Sequence, residues 1–403
     1  MAQHPLLPVE DARARIMAAL RTTETENVPL DRALGRFLAK EVISRRTQPP
    51  ADLSAMDGYA VRAGDVAVVP ARLKVVGEAP AGGAYEEPLN EGEAVRIFTG
   101  APLPRGADSI VIQEDTLRDG DVVVISEAAR AGQHIRVCGL DFRTGDAGMP
   151  AGRKLSPADI ALAAAMNLPI LEVHKRPVIA FFSTGNELVR PGDEPGPNQI
   201  ISSNNDGLAA LIAEAGGIPL DLGIARDTLE DIRAAAGRAS EADMLVTLGG
   251  ASVGDHDLVQ EALAPLGLDI DFWKVAMRPG KPLIFGKLGE QPMLGLPGNP
   301  VSALVCATLF LRPAIMRMQG GDSTLHTTLA RSGRDLPANG SREDYIRGGL
   351  DHVPGELPVA TPFEIQDSSM LSVLSHASCL IIRPPHAAAL QAGGFVTVLP
   401  LRH

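Results

Sequence analysis

A chain of 403 residues is too long for one ordinary core and predicts about two to four domains. Hydrophobic residues make up 45% but aromatics only 3%, so the cores must rest on Val, Ile, Leu and Ala. A formal charge of −12, from 37 basic and 49 acidic side chains, repels polyanions and argues against nucleic-acid binding.

The opening MAQHPLLPVEDARARI lacks the basic-then-apolar layout of a secretory signal. Apolar positions at helical spacing over 8–21 predict an amphipathic helix. From about 46 to 140 short β-rich runs follow one another, among them Leu73–Val76, Ala94–Phe98, Ser109–Ile112 and Val122–Ile125, which predicts a small β domain. Ser156, Pro157 and Asp159 supply an N-cap, a proline at the first helical position and an acid at the third, so a helix begins there.

From Pro177 the texture becomes β-α-β-α. A strand over Pro177–Ser183, a helix over Asp206–Ala215 and a strand over Ile218–Ile224 come first. A helix opened by Asp227-Thr228-Leu229-Glu230, which reads as a capping box, and a strand over Ala242–Leu248 follow. Three further β runs cover Phe272–Met277, Pro282–Lys287 and Pro292–Leu296, and a long apolar helix runs from Pro300 to near Met318. Such alternation predicts a mostly parallel sheet covered by helices on both faces, with ligands beyond the carboxyl ends of its strands. The last part returns to β segments at Tyr345–Leu350, Cys379–Arg383 and Phe395–Leu399, a barrel or sandwich. Apolar runs are broken well before the ~18 residues of a membrane span. Cys138, Cys306 and Cys379 are odd in number and far apart, so neither a disulfide framework nor a cysteine zinc site is expected, and the compartment is expected to be cytoplasmic.

Four loops of the α/β segment carry chemistry. Ser183-Thr184-Gly185-Asn186-Glu187 offers small residues and one carboxylate. Gly250-Ala251-Ser252-Val253-Gly254 fits the G-x-S-x-G nucleophile pattern between a strand and a helix, with Asp255 and Asp257 just downstream. Lys274, Arg278 and Lys281 gather three cations within eight residues around a Pro-Gly turn, an unusual concentration in so acidic a chain. Gly298-Asn299-Pro300 opens a helix whose free N–H groups suit a phosphate. Trp273, the only tryptophan, reads as a core residue.

SAMDGYAVR, FTGAPLP, STGNEL, GGASVGDHD, FWKVAMRPGKPL, GLPGNPVSA and QDSSMLS occur in this order over about 320 residues. In this the chain resembles the molybdopterin molybdenumtransferase family, which includes bacterial MoeA and the gephyrin E domain. The resemblance implies a multidomain α/β fold. Its parts are an elongated helical-β region (1–45 and 142–176), whose N-terminal helix is allowed to pack on the α/β domain, and an inserted β domain (46–141). A MogA-like, mostly parallel α/β molybdopterin-binding domain (177–322) and a C-terminal β-barrel (323–403) complete it. It implies insertion of molybdate into adenylyl-molybdopterin with release of AMP and help from Mg2+, in a homodimer that shares its cleft. Contact with the molybdopterin adenylyltransferase and other proteins of the pathway is a further implication.

Carried over by resemblance, Thr184, Gly185, Ser252, Lys274, Gly298 and Asn299 hold the molybdopterin and AMP phosphates. Arg278, Lys281, Arg347, Ser368 and Ser369 receive molybdate, and Asp57, Thr99, Asp141, Glu187 and Asp257 are catalytic. Glu187, Asp257 and Asp227 are the candidate Mg2+ ligands, Asp227 with its helix cap as the competing explanation. The chain departs from the family at Asn186, Leu140 and Ser202, where acids are common, and at Val137-Cys138. A serine hydrolase using Ser252 would need an acid and a histidine later in the chain, and no HGGG-type oxyanion segment precedes the motif. A non-catalytic scaffold of the gephyrin type would leave the anion and acid loops without a purpose. The adenylyltransferase of the same pathway would leave the β domain before residue 145 and the C-terminal barrel unexplained.

Overall fold

The computed structural model describes residues 6–250 and 258–401. Strand Val178–Thr184 lies second from one edge of a six-stranded sheet. It is flanked in parallel by Ile218–Ala225 and Met244–Leu248, and the latter is followed in parallel by Gln291–Leu296. The side-chain period of two sends Ile179 and Phe181 into the core on one face, Ala180 and Phe182 into the core on the other. That double burial is why these strands read as continuous apolar runs.

The sheet is not parallel throughout. Pro282–Leu288 pairs antiparallel with both Gln291–Leu296 and Leu268–Lys274. The link between Leu288 and Gln291 is far too short for the crossover a parallel pair needs, so these strands close as a meander. Leu268–Lys274 is therefore an edge strand. Phe272 turns inward onto Phe285, with ring centroids 5.8 Å apart. Trp273 turns outward, is 40% exposed and carries the Lys274 ammonium 4.2 Å from its ring. The expectation of a core tryptophan is thus wrong, because one position along an edge strand reverses the facing side.

The first helix spans Val9–Ala19 and buries Val9, Ala12 and Ile16 on one stripe. These residues join the core beneath the α/β sheet, so the helix rides on that unit. The chain then forms a strand, Thr25–Pro29, antiparallel to Ile170–His174. Beside the latter, helix Pro157–Ala165 starts with the predicted capping box, Ser156 accepting from the Asp159 N–H and Asp159 from the Ser156 N–H.

The long apolar helix Pro300–Met318 has a mean hydropathy of 1.5, long and apolar enough by composition to cross a membrane, contrary to the reading of broken runs. Its most apolar stretch is 72% buried within the protein, packed under the sheet with Val301, Phe310 and Ile315 fully enclosed. A π turn over Ala307–Leu311 precedes Pro313, which has no N–H to donate to the preceding turn.

Two β units flank this centre. Six strands in the order 109–112, 58–61, 93–97, 71–79, 122–125 and 116–119 make a half-barrel with a small core on each face. In the C-terminal unit, Glu343–Asp351, Val359–Pro362, Thr328–Ser332, Phe395–Pro400 and Cys379–Arg383 pair in succession, and the last returns to the first. Closure leaves the barrel little open edge. Met277–Arg278, from the cation loop, adds a short parallel strand to Glu343–Asp344 and ties the barrel to the α/β unit.

Candidate functional site

Beyond the carboxyl ends of the parallel strands lies a cleft of about 810 Å³. Thr184, Gly185 and Glu187 enter it after one strand, Asp227 after the next, Gly249 and Gly250 after the third, Gly298 and Asn299 after the fourth. Gly185 has a φ of +154°, and a Cβ there would sit 2.7 Å from both carboxylate oxygens of Glu187. Only glycine lets that carboxylate fold back over the loop.

Asp227 does not cap the helix that follows it. The N-cap of Leu229–Gly237 is Thr228, whose hydroxyl accepts from the Asp231 N–H at 3.1 Å. Asp227 instead accepts from the Asn186 N–H, and Asn186 Oδ1 accepts from the Asp227 N–H, both at 3.2 Å. The sequence holds two overlapping boxes, Asp-x-x-Glu and Thr-x-x-Asp, and the exchange with Asn186 selects the second. The Asp227 carboxylate is thereby placed one residue from Glu187 on the cleft wall.

Asn299 and Pro300 begin their helix as expected, but the end is less open than predicted. The Val301 N–H donates to the Ser368 carbonyl at 3.1 Å, and the Asn299 amide donates to Ser368 Oγ at 3.1 Å. A loop of the barrel unit has docked on the helix start. It also brings Ser369 and Leu371 to the same cleft.

A second cleft of about 750 Å³ adjoins the first, sharing Pro282 and Ser302 as wall. Arg278, Lys281, Arg347 and Ser368 line it. Arg278 forms an ion pair with Asp344, a carboxylate that is almost wholly buried. Arg347 is only 2% exposed. One of its terminal nitrogens donates to the Asp367 carbonyl at 3.1 Å, while its Nε has no partner among the described residues. Burial pushes its pKa down and the nearby Asp367 opposes this, yet a guanidinium keeps its charge at any working pH. Asp367 is itself held below the usual carboxylate range by the hydroxyl and N–H of Ser369, at 2.6 and 2.8 Å. Arg334 and Arg342 also reach this cleft, and Arg334 pairs with Glu364 at 3.1 Å. Among the described residues, no carboxylate lies within ion-pair distance of Lys281, Arg342 or Arg347. The cleft thus presents cationic groups with charge to spare.

Sequence reasoning noted Ser202 only as a departure from the family, and it missed Arg334 and Arg342, which sit in polar turns whose composition reads as surface, and Ser203 and Asn204 on the first cleft. The one signal for the latter was their place after an unusual loop.

Lys274, Asp57, Thr99 and Asp141 line neither cleft of their own chain. Lys274 lies against Trp273. Asp57 Oδ1 accepts from the Thr99 N–H at 2.7 Å and the Thr99 hydroxyl at 2.8 Å, and these two bonds hold its pKa below the ordinary value. Three separated motifs meet here. Ser54 exchanges backbone bonds with Gly100 and Ala101, and Leu53-Ser54 pairs with Ile135-Arg136. The Asp141 N–H closes the neighbouring turn on the Gln48 carbonyl at 3.0 Å. Ser252 and Asp257 lie outside the described residues.

The chain matches known proteins along nearly all of its length. Residues 7–167 match the MoeA N-terminal region (domain I and II), 180–317 a probable molybdopterin binding domain, and 330–401 the MoeA C-terminal region (domain IV). The molybdopterin molybdenumtransferase of a Nostoc species is 37% identical over 99% of this chain and 95% of its own length. That of Haemophilus influenzae is 33% identical over 99% of both. The chain belongs to the molybdopterin molybdenumtransferase (MoeA) family. It is an enzyme of molybdenum cofactor biosynthesis. The crystal structure of a molybdopterin biosynthesis MoeA protein from Pyrococcus horikoshii superposes with a TM-score of 0.83 at 31% identity, covering 99% of this chain and all of that one.

Proposed function

We propose that the chain inserts molybdate into adenylyl-molybdopterin and releases AMP. The observation that carries this is the pairing of clefts: one lined by Glu187, Asp227 and glycine turns, the other by Lys281, Arg342 and Arg347, for which no carboxylate lies within ion-pair distance among the described residues. An adenylylated phosphate and an oxyanion are both anions, and each charge-assisted hydrogen bond to them contributes about 1.5–3 kcal/mol. Arg347 reaches the second cleft from a buried position with an N–H unspent, so binding molybdate would remove an existing penalty. Asp344 fixes the Arg278 guanidinium beside it.

Among the described residues no three His, Cys, Asp or Glu side chains converge. Two carboxylates, Glu187 and Asp227, in a cleft able to take phosphates are nonetheless a donor set that suits Mg2+, which keeps waters and substrate oxygens as ligands. When bound there, the ion would neutralise charge on the phosphates as AMP leaves. The protein's own part is to orient: Gly185 and Gly298 allow close approach, and Asn299 and Ser368 fasten the barrel loop over the junction. Asp57, Thr99 and Asp141 line neither of these clefts within one chain, and we assign them to the cleft of a second copy in a homodimer.

The experiment supplies purified protein with adenylyl-molybdopterin, molybdate and Mg2+ and follows AMP. The wild-type chain is expected to release it, and Lys281→Ala to need at least about tenfold more molybdate, one lost charge-assisted bond. No AMP from a validated substrate sinks the proposal, and wild-type molybdate use by the variant removes Lys281 from the site.

A further inference from the structure

Behind the first cleft, Asn205 occupies the first turn of helix Asn204–Glu214 and is 6% exposed. Its Nδ2 donates to Asp221 Oδ1 at 2.9 Å and to the Gly223 carbonyl at 3.3 Å. A carboxylate and a carbonyl can only accept, so the amide has one orientation: Oδ1 must face the other way. There it meets the hydroxyls of Ser183 and Ser202, the latter at 3.1 Å. Both hydroxyls must therefore give their single proton to Asn205. Ser183 and Ser202 both line the cleft, and what they have left to offer a ligand is lone pairs.

The same hub fixes a loop. Ser202 ends the segment that carries Glu187, and its N–H donates to the Val189 carbonyl at 2.8 Å while the Ile200 N–H donates to the Glu187 carbonyl at 2.7 Å. Asn205 ties the end of that segment to strand Val178–Thr184 through Ser183 and to strand Ile218–Ala225 through Asp221. An aspartate at position 202 would face Asn205 Oδ1 with no proton to give, whereas Ser202 satisfies the amide and still accepts.

We propose that Asn205 is a positioning residue of this cleft: it pins the Glu187 loop and turns Ser183 and Ser202 into a corner that accepts hydrogen bonds only. The corner takes a donor, either a water on a hydrated divalent cation or a hydroxyl or amino group of the nucleotide. The choice of ligands rests on the function proposed above, but the pinning does not.

Asn205→Asp keeps the shape and sets a carboxylate against that of Asp221, and Asp221→Asn in the same chain removes the second negative charge while its Oδ1 still accepts from the Gly223 N–H. Hydrogen exchange over 186–203 in the ligand-free protein is expected to quicken about tenfold or more in the single variant and to return in the double one. Ser202→Ala deletes one of the two hydroxyls on Asn205 Oδ1 and leaves that of Ser183, so exchange is expected to quicken less than in Asn205→Asp, while binding, measured calorimetrically, of either Mg2+ alone or AMP alone weakens. Loss for Mg2+ identifies the hydrated cation as the donor, and loss for AMP the nucleotide. Unchanged exchange in Asn205→Asp, or no recovery in the double variant, overturns the pinning. Unchanged binding of both ligands by Ser202→Ala overturns the acceptor corner. Both differ from failure of the function, which shows as no AMP release by the wild type.

Discussion

Replacing Thr228 with alanine removes the hydroxyl that accepts from the Asp231 N–H at 3.1 Å and leaves that donor to water. Loss of such a cap costs about 0.5–2 kcal/mol of local helix stability. Opening of helix Leu229–Gly237 should then become about 2- to 30-fold more frequent, and its amides should exchange faster by that factor. Thr228→Ser keeps the acceptor and should restore most of the protection. Asp227→Ala removes a carboxylate that bonds Asn186 and not the helix, so exchange in this helix should change by less than about twofold while Mg2+-dependent AMP release falls. Hydrogen exchange read by mass spectrometry at peptide resolution separates the two variants. If Asp227→Ala loosens the helix as much as Thr228→Ala does, the assignment of cap and site residue is reversed and Asp227 returns to a structural role.

Two further outcomes follow from the geometry. Asp57 has a depressed folded pKa, so its contribution to stability is complete above the unfolded value of about 3.9 and is lost as pH falls through the folded one. Thr99→Val keeps the N–H bond but deletes the hydroxyl bond, and a carboxyl 13C NMR titration should show the Asp57 pKa rising part of the way; an unmoved titration would show that the hydroxyl is not its partner. Gly280 has a φ of +101°, and a Cβ there would lie 2.3 Å from the Cys306 sulfur, itself fully buried. Gly280→Ala should cost about 1–3 kcal/mol, seen as a lower thermal midpoint, with partial recovery when Cys306 is also made alanine. A midpoint equal to wild type would mean that the loop carrying Lys281 is free to shift.

Much was legible because it is local. The Ser156 cap, the buried strand Met244–Leu248, the stripe of Val9, Ala12 and Ile16, and the helix opened by Pro300 all follow from residue types a few positions apart. The order of seven short motifs further sufficed to indicate the family. What a neighbour far along the chain decides was not legible. Whether Trp273 is inside or outside depends on which strand ends the sheet, and that depends on pairing with Pro282–Leu288. Which of two overlapping boxes caps the helix depends on Asn186, 41 residues before Asp227. The charge of the second cleft needed Arg347 brought to Lys281 by the pairing of Met277–Arg278 with the barrel. Sequence alone settled elements and kinship, since propensity, capping and periodicity act within a few residues. Tertiary structure alone settled sides, partners and convergence, since these depend on contacts whose energies local sequence does not contain.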